Sequence, residues 1–159
     1  MNKTSVFIVS LLFMIIIEGC RYKHTSYSDF RSLGNQGWPA TEPLEYVLKG
    51  VDSLAMPADS VYVTIRHNND YRYCNLWLFV DYVYSDTVTT DTVECMLSDK
   101  FGKWYGSGFG ASYERVVFVC DASRLRDLRK IVVWNGMRDD PLRGISDVGL
   151  SLGVYNAGR

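Results

Sequence analysis

From residue 44 onward, apolar and polar residues alternate with period two in short runs separated by turn residues. Such alternation is the signature of strands that bury one face. Residues 44–49, "LEYVLK", put Leu44, Tyr46 and Leu48 on one face. Residues 61–67, "VYVTIRH", put Val61, Val63 and Ile65 on one face and Tyr62, Thr64 and Arg66 on the other, and "NND" at 68–70 follows as a turn. Residues 73–84, "YCNLWLFVDYVY", are apolar on both faces, which predicts a central strand covered on both sides. Residues 91–97, "DTVECML", alternate again with Val93, Cys95 and Leu97 inward, and "SDKFGK" makes a tight connection to "KWYGSGFG". The runs "RVVFVC" (115–120), "KIVVW" (130–134) and "DVGLSLGVY" (147–155) complete the set.

The one stretch that admits a helix is "DASRLRDLRK", and it reads equally well as a loop. About eight strands with no helix between them predict an all-β fold, an antiparallel β-sandwich whose connections can be those of a jelly roll. Residues 20–43 are polar, contain Gly and Pro, and show no sustained period, so they read as a tether that becomes ordered near Trp38. The sandwich domain is then residues 44–159.

The N-terminus obeys a different pattern. Residues 1–3 carry one positive charge, and residues 6–17, "VFIVSLLFMIII", form an apolar run broken only by the small Ser10. Twelve residues match the core of a signal peptide. Crossing a hydrocarbon core takes roughly 20. The run ends in "I-E-G-C", with small Gly19 before Cys20, which resembles the lipobox of bacterial lipoproteins. Ile17 stands where that pattern more often has Leu, and Glu18 is unusual beside an apolar run. Residues 1–19 are read as a lipoprotein signal peptide and Cys20 as the lipid attachment site and first residue of the mature chain. Each buried methylene contributes about 0.8 kcal/mol, so two or three acyl chains hold the protein on a membrane while its domain stays in water.

Removing the leader leaves 140 residues with a net charge of −1, enough for one domain with a real core and without the basic excess of a nucleic-acid binder. Aromatics make up 14%, including 11 Tyr and 4 Trp, which suits a β-protein. Cys74, Cys95 and Cys120 are too widely spaced for a C-x-x-C site. Their apolar surroundings favour three buried thiols, with one disulfide and one thiol as the alternative.

Signals for chemistry are sparse. His67 lies on the apolar parity of its strand, which favours a core histidine over a ligand or base. "GSGFGA" at 106–111 fits a loose dinucleotide fingerprint but opens no helix in a βαβ unit, so it reads as a glycine-rich turn. Asp81, Asp86, Asp91, Glu94 and Asp99 recur on neighbouring strands. Paired carboxylates serve glycoside hydrolysis, yet the same residues suit any solvated sheet face. No cofactor and no metal site is indicated, and no enzyme activity is expected.

The pieces Asn75-Leu76-Trp77, Asp91-Thr92-Val93-Glu94-Cys95, Gly102-Lys103-Trp104 with Gly106 and Gly108, Met137-Arg138, and 142–149 together resemble the gliding-motility lipoprotein GldH family. The resemblance covers about residues 38–152, and the lipobox fits it. It implies a non-enzymatic envelope lipoprotein, a scaffold or accessory subunit of the gliding machinery and its linked secretion system, with protein partners and a membrane anchor. It brings no catalytic residues. Candidate partner-binding residues are Trp104, Tyr105, Arg138, Arg143 and Asp147, the last three in or beside the long "PLRGISDVG" segment. A carbohydrate-binding sandwich, with Trp104 and Tyr105 stacking on sugar rings, and an envelope-polymer hydrolase are the alternatives. Arg21, Tyr22, Lys23 and His24 follow Cys20 with no acidic cluster and no Asp, so the expected location is the outer membrane, facing the periplasm.

Overall fold

A computed structural model of the chain describes residues 25–48 and 60–153. The leader read over residues 1–19 and the attachment site Cys20 lie outside the described residues, as do 154 and 155 of the last run. Nine strands follow in order: β1 (Thr25–Ser32), β2 (Leu44–Val47), β3 (Ser60–Asn68), β4 (Asn75–Val83), β5 (Val88–Met96), β6 (Ser107–Phe109), β7 (Ser112–Asp121), β8 (Lys130–Asn135) and β9 (Ile145–Gly153). The segment that admitted a helix holds one 3-10 turn, Ala122–Leu125.

All pairings are antiparallel. One sheet has the order β1-β9-β3-β7-β6 and the other β2-β8-β4-β5. Apart from the β4–β5 and β6–β7 hairpins, each strand is followed by one in the opposite sheet. This is the jelly roll, with the three-residue β6 added at one edge. The space between the sheets is filled by Val61, Val63 and Ile65, whose inward parity was predicted, and by Leu76, Leu78, Val80, Ile131, Val133, Leu150 and Leu152, all fully buried. Tyr46 is buried with them because its hydroxyl finds a partner, donating to the Val148 carbonyl across the sandwich at 2.8 Å.

Three expectations are corrected. Residues 25–32, assigned to the tether, form β1 and pair with β9 over its whole length. Periodicity did not reveal β1 because it is an edge strand whose inward positions carry Asp29 and Arg31, held to each other as an ion pair. Next, β4 is covered on one face only: Leu76, Leu78, Val80 and Tyr82 are buried, while Trp77 and Phe79 stand 38% and 42% exposed. Among the described residues no third layer covers them. Last, Cys74 is exposed, whereas Cys95 and Cys120 are buried thiols. Burial pushes the Cys95 thiol up to about 12, far from the range of a reactive thiolate.

Register gives the sandwich two distinct ends. At the entry end, Thr25, Ser60 and Asp121 align on or beside Gly153, with Val47, Val83 and Val88 around Lys130. At the far end lie the connections after β1, β3, β5 and β8. Strands of nine residues separate the two ends by about 30 Å, at roughly 3.3 Å per residue.

Candidate functional site

The far end is built around Trp38. Its ring is fully buried, its indole N–H donates to the Glu42 carbonyl at 2.8 Å, and its backbone exchanges two hydrogen bonds with Leu142. The buried Asn135 amide adds a third tie, donating to the Trp38 carbonyl. The connection after β1 is thereby fastened to the connection after β8. The latter is pressed against the turn after β3: Asn68 N donates to the Gly144 carbonyl at 2.9 Å, and a Cβ on Gly144 would lie 2.2 Å from Tyr71 N. Only glycine, here at φ +85°, permits that approach.

Between these three connections opens a polar cleft of about 980 Å³. Arg72, Arg138 and Arg143 line it together with Asp70, Asp139 and Asp140, so formal charges balance. Their availability does not. The Asp140 carboxylate accepts from Ala40 N at 3.0 Å, and Asp139 accepts from the Tyr73 hydroxyl, which raises that phenol's pKa. Arg138 and Arg143 make no ion pair or hydrogen bond among the described residues. A guanidinium presents rigid paired donors that match a carboxylate or phosphate, so the unfilled capacity of the cleft is for anionic groups.

Behind the cleft lies His67, fully buried as its parity indicated. Its ring stacks on Tyr113 at 5.4 Å and meets the Trp104 ring edge-on at 4.6 Å, with Tyr71 at 6.0 Å. The Nε2 atom has no hydrogen-bond partner, and Nδ1 faces the Asn68 carbonyl at 3.5 Å. Burial lowers the His67 pKa, and the Asn68 carbonyl offsets this in part. The native state therefore resists a proton that the unfolded chain accepts near pH 6.5. Stability should fall as pH drops through that value toward the lower native pKa, and level off below it. Denaturant titrations of wild type and His67→Phe between about pH 7.5 and 5.5 check this. Equal slopes in the two proteins would refute it.

The predicted site residues divide accordingly. Arg138 and Arg143 are brought together in the cleft. Trp104 adjoins its rim, donating its indole N–H to Asn69 at 3.2 Å, but it is half-buried against His67 and offers no open platform to a sugar. Tyr105 is 39% exposed with the Arg115 guanidinium over its ring, and Asp147 sits in β9 beside Ser32 and Arg66; neither lines the cleft. Asn35, the 68–70 turn, Arg72 and Tyr73 were missed. Tyr73 was read into the run of β4, and the signal for the others was turn composition, which says nothing about what a turn will face.

The acidic residues do not converge. Asp81 accepts from Thr90 and Trp134 on the outer sheet face, Asp91 pairs with Arg124, Glu94 accepts from Asn75, and Asp99 caps the 100–103 turn. Among the described residues no three His, Cys, Asp or Glu side chains group to hold a metal ion.

A family model described as GldH lipoprotein matches residues 25–152. A gliding motility lipoprotein GldH homolog of Christiangramia forsetii is 28% identical over 158 residues, covering 93% of this chain and 94% of the relative. The gliding motility lipoprotein GldH of Flavobacterium johnsoniae is 24% identical over 152 residues, covering 91% and 93%. No solved structure matches.

Proposed function

Because this chain belongs to the GldH lipoprotein family, we propose that it is a non-enzymatic envelope lipoprotein, anchored through Cys20, that serves the gliding machinery and its linked secretion system as a scaffold or accessory subunit. The observation that carries this reading is the polarity of the sandwich. The chain enters at Thr25, and the arginine-lined cleft opens at the other end.

Four residues separate Cys20 from Thr25. At 3.3–3.6 Å per residue they and their flanking bonds span at most about 18 Å. The tether is therefore short, and the reach comes from the height of the domain. Standing on its anchor, the sandwich lifts the cleft by about 30 Å from its entry end, toward partners that span the envelope. With basic and neutral residues after Cys20, the anchor belongs in the outer membrane and the domain in the periplasm.

Fatty-acid labelling tests the anchor. Cys20→Ser should abolish the label and leave a precursor that keeps its 19-residue leader. A Cys20→Ser chain that labels like wild type sinks the anchor. Protease on intact cells should spare the domain and cut it once the outer membrane is opened. Digestion without opening would place it on the cell surface instead.

A further inference from the structure

Sheet edges expose unpaired N–H and C=O groups, and proteins blunt them with short strands, bulges, Pro or inward charges. Three of the four edges here are blunted. β1 has an irregular register at Thr25–Tyr27, and its inward Arg31 guanidinium donates to the Glu45 carbonyl, which caps β2 as well. β2 has four residues and follows Pro43, and β6 has three. β5 differs. It runs nine residues without Pro, Lys or Arg, and its register with β4 is unbroken. Its one inward charge, Asp91, is already neutralised by Arg124.

The hydrogen-bond phase of this edge follows from the hairpin. Tyr84 N donates to the Thr87 carbonyl and Leu97 N to the Cys74 carbonyl, so odd-numbered β5 residues bond to β4. Val88, Thr90, Thr92, Glu94 and Met96 therefore direct their N–H and C=O groups outward, and among the described residues no strand takes them. The same residues project side chains onto the outer face, beside the exposed Trp77 and Phe79.

We propose that β5 is a docking edge to which a partner protein adds an extended segment, with apolar or β-branched residues along Val88, Thr90, Thr92 and Met96 and a basic residue facing Glu94. This rests on the proposed function for the partner's place in the assembly. Charge selects the occupant: with Asp91 paired to Arg124, Glu94 is the charge left on β5, so a second copy brings only its like and a basic segment brings the opposite. Geometry agrees. Two β5 strands pairing antiparallel about a two-fold would put their entry ends at opposite ends of the joint sheet. Both Cys20 anchors could then reach one bilayer only with the pair lying flat.

The test is photo-cross-linking from a benzophenone residue at position 90 of the full-length chain in its native membranes. The expected result is one partner, joined through one short segment of the stated pattern. Glu94→Lys and, separately, Thr92→Pro, which removes an outward N–H and leaves the β4 ladder intact, should each reduce the adduct at least tenfold. An adduct with a second copy, adducts scattered over unrelated proteins, no adduct, or a yield untouched by either substitution would overturn the proposal. Acyl labelling of the same membranes separates the two readings. A lipidated chain without the adduct fails the edge alone, and an unlipidated chain that still forms it fails the anchor alone.

Discussion

Trp38→Ala should destabilise the domain by about 3–5 kcal/mol, the usual cost of truncating a large buried aromatic. In a domain of this size that lowers the melting temperature by about 10–20 °C. The ring is fully buried at the far end, and its removal leaves a cavity together with an unpaired Glu42 carbonyl. The effect should also be regional. The Trp38 backbone bonds to Leu142 hold the connections after β1 and β8 together, so amides in 33–43 and 136–144 should exchange faster in the variant, while those of β3 and β7 keep their protection. Trp38→Phe keeps most of the apolar contact and loses the indole donor, and should cost about 1–2 kcal/mol. A Trp38→Ala domain that melts within a degree or two of wild type would show that these loops are held by something else.

Gly144→Ala is the second large effect expected, and Gly34→Ala is its control. Both glycines line the cleft and both have positive φ, +85° and +62°. A Cβ on Gly34 meets nothing within 4 Å, so alanine there incurs only the left-handed backbone penalty, about 1–2 kcal/mol. A Cβ on Gly144 would sit 2.2 Å from Tyr71 N and 2.5 Å from its Cα, both backbone atoms with no rotamer to yield. The 142–145 segment must move away from the turn after β3, and the total should reach about 3 kcal/mol or more. Because Arg143 and the Asn68–Gly144 bond move with it, partner capture that depends on the cleft should weaken even where the protein remains folded. Equal losses for the two substitutions would mean that the close approach is not what Gly144 provides.

Most of the architecture was legible because a half-buried strand writes its orientation in the chain. Val61, Val63 and Ile65 share one face of their run and point to the core in the structure as they do in the pattern. His67 was placed by the same parity. Two strands did not write themselves in this way. β1 carries Asp29 and Arg31 at inward positions, because at an edge those charges reach one another and the rim of the opposite sheet. β4 is apolar on both faces although one is open, so its composition overstated its burial.

The site divides along the same line. The letters alone name side chains of suitable chemistry, among them Arg138, Arg143 and Trp104, and carry the period-two faces that make a sandwich. Which of those side chains meet depends on the fold. Residues 34–37, 68–73 and 138–146 line one cleft because jelly-roll connections return to the same end of the two sheets. Only the structure showed that Asp139 and Asp140 are occupied while, among the described residues, Arg138 and Arg143 have no partner. It also showed that β5, unremarkable as a run of letters, is an edge that no strand among the described residues takes. The physical reason is that periodicity records what each residue faces locally, whereas a cleft, a spent hydrogen bond or a bare edge depends on which distant strand lies alongside.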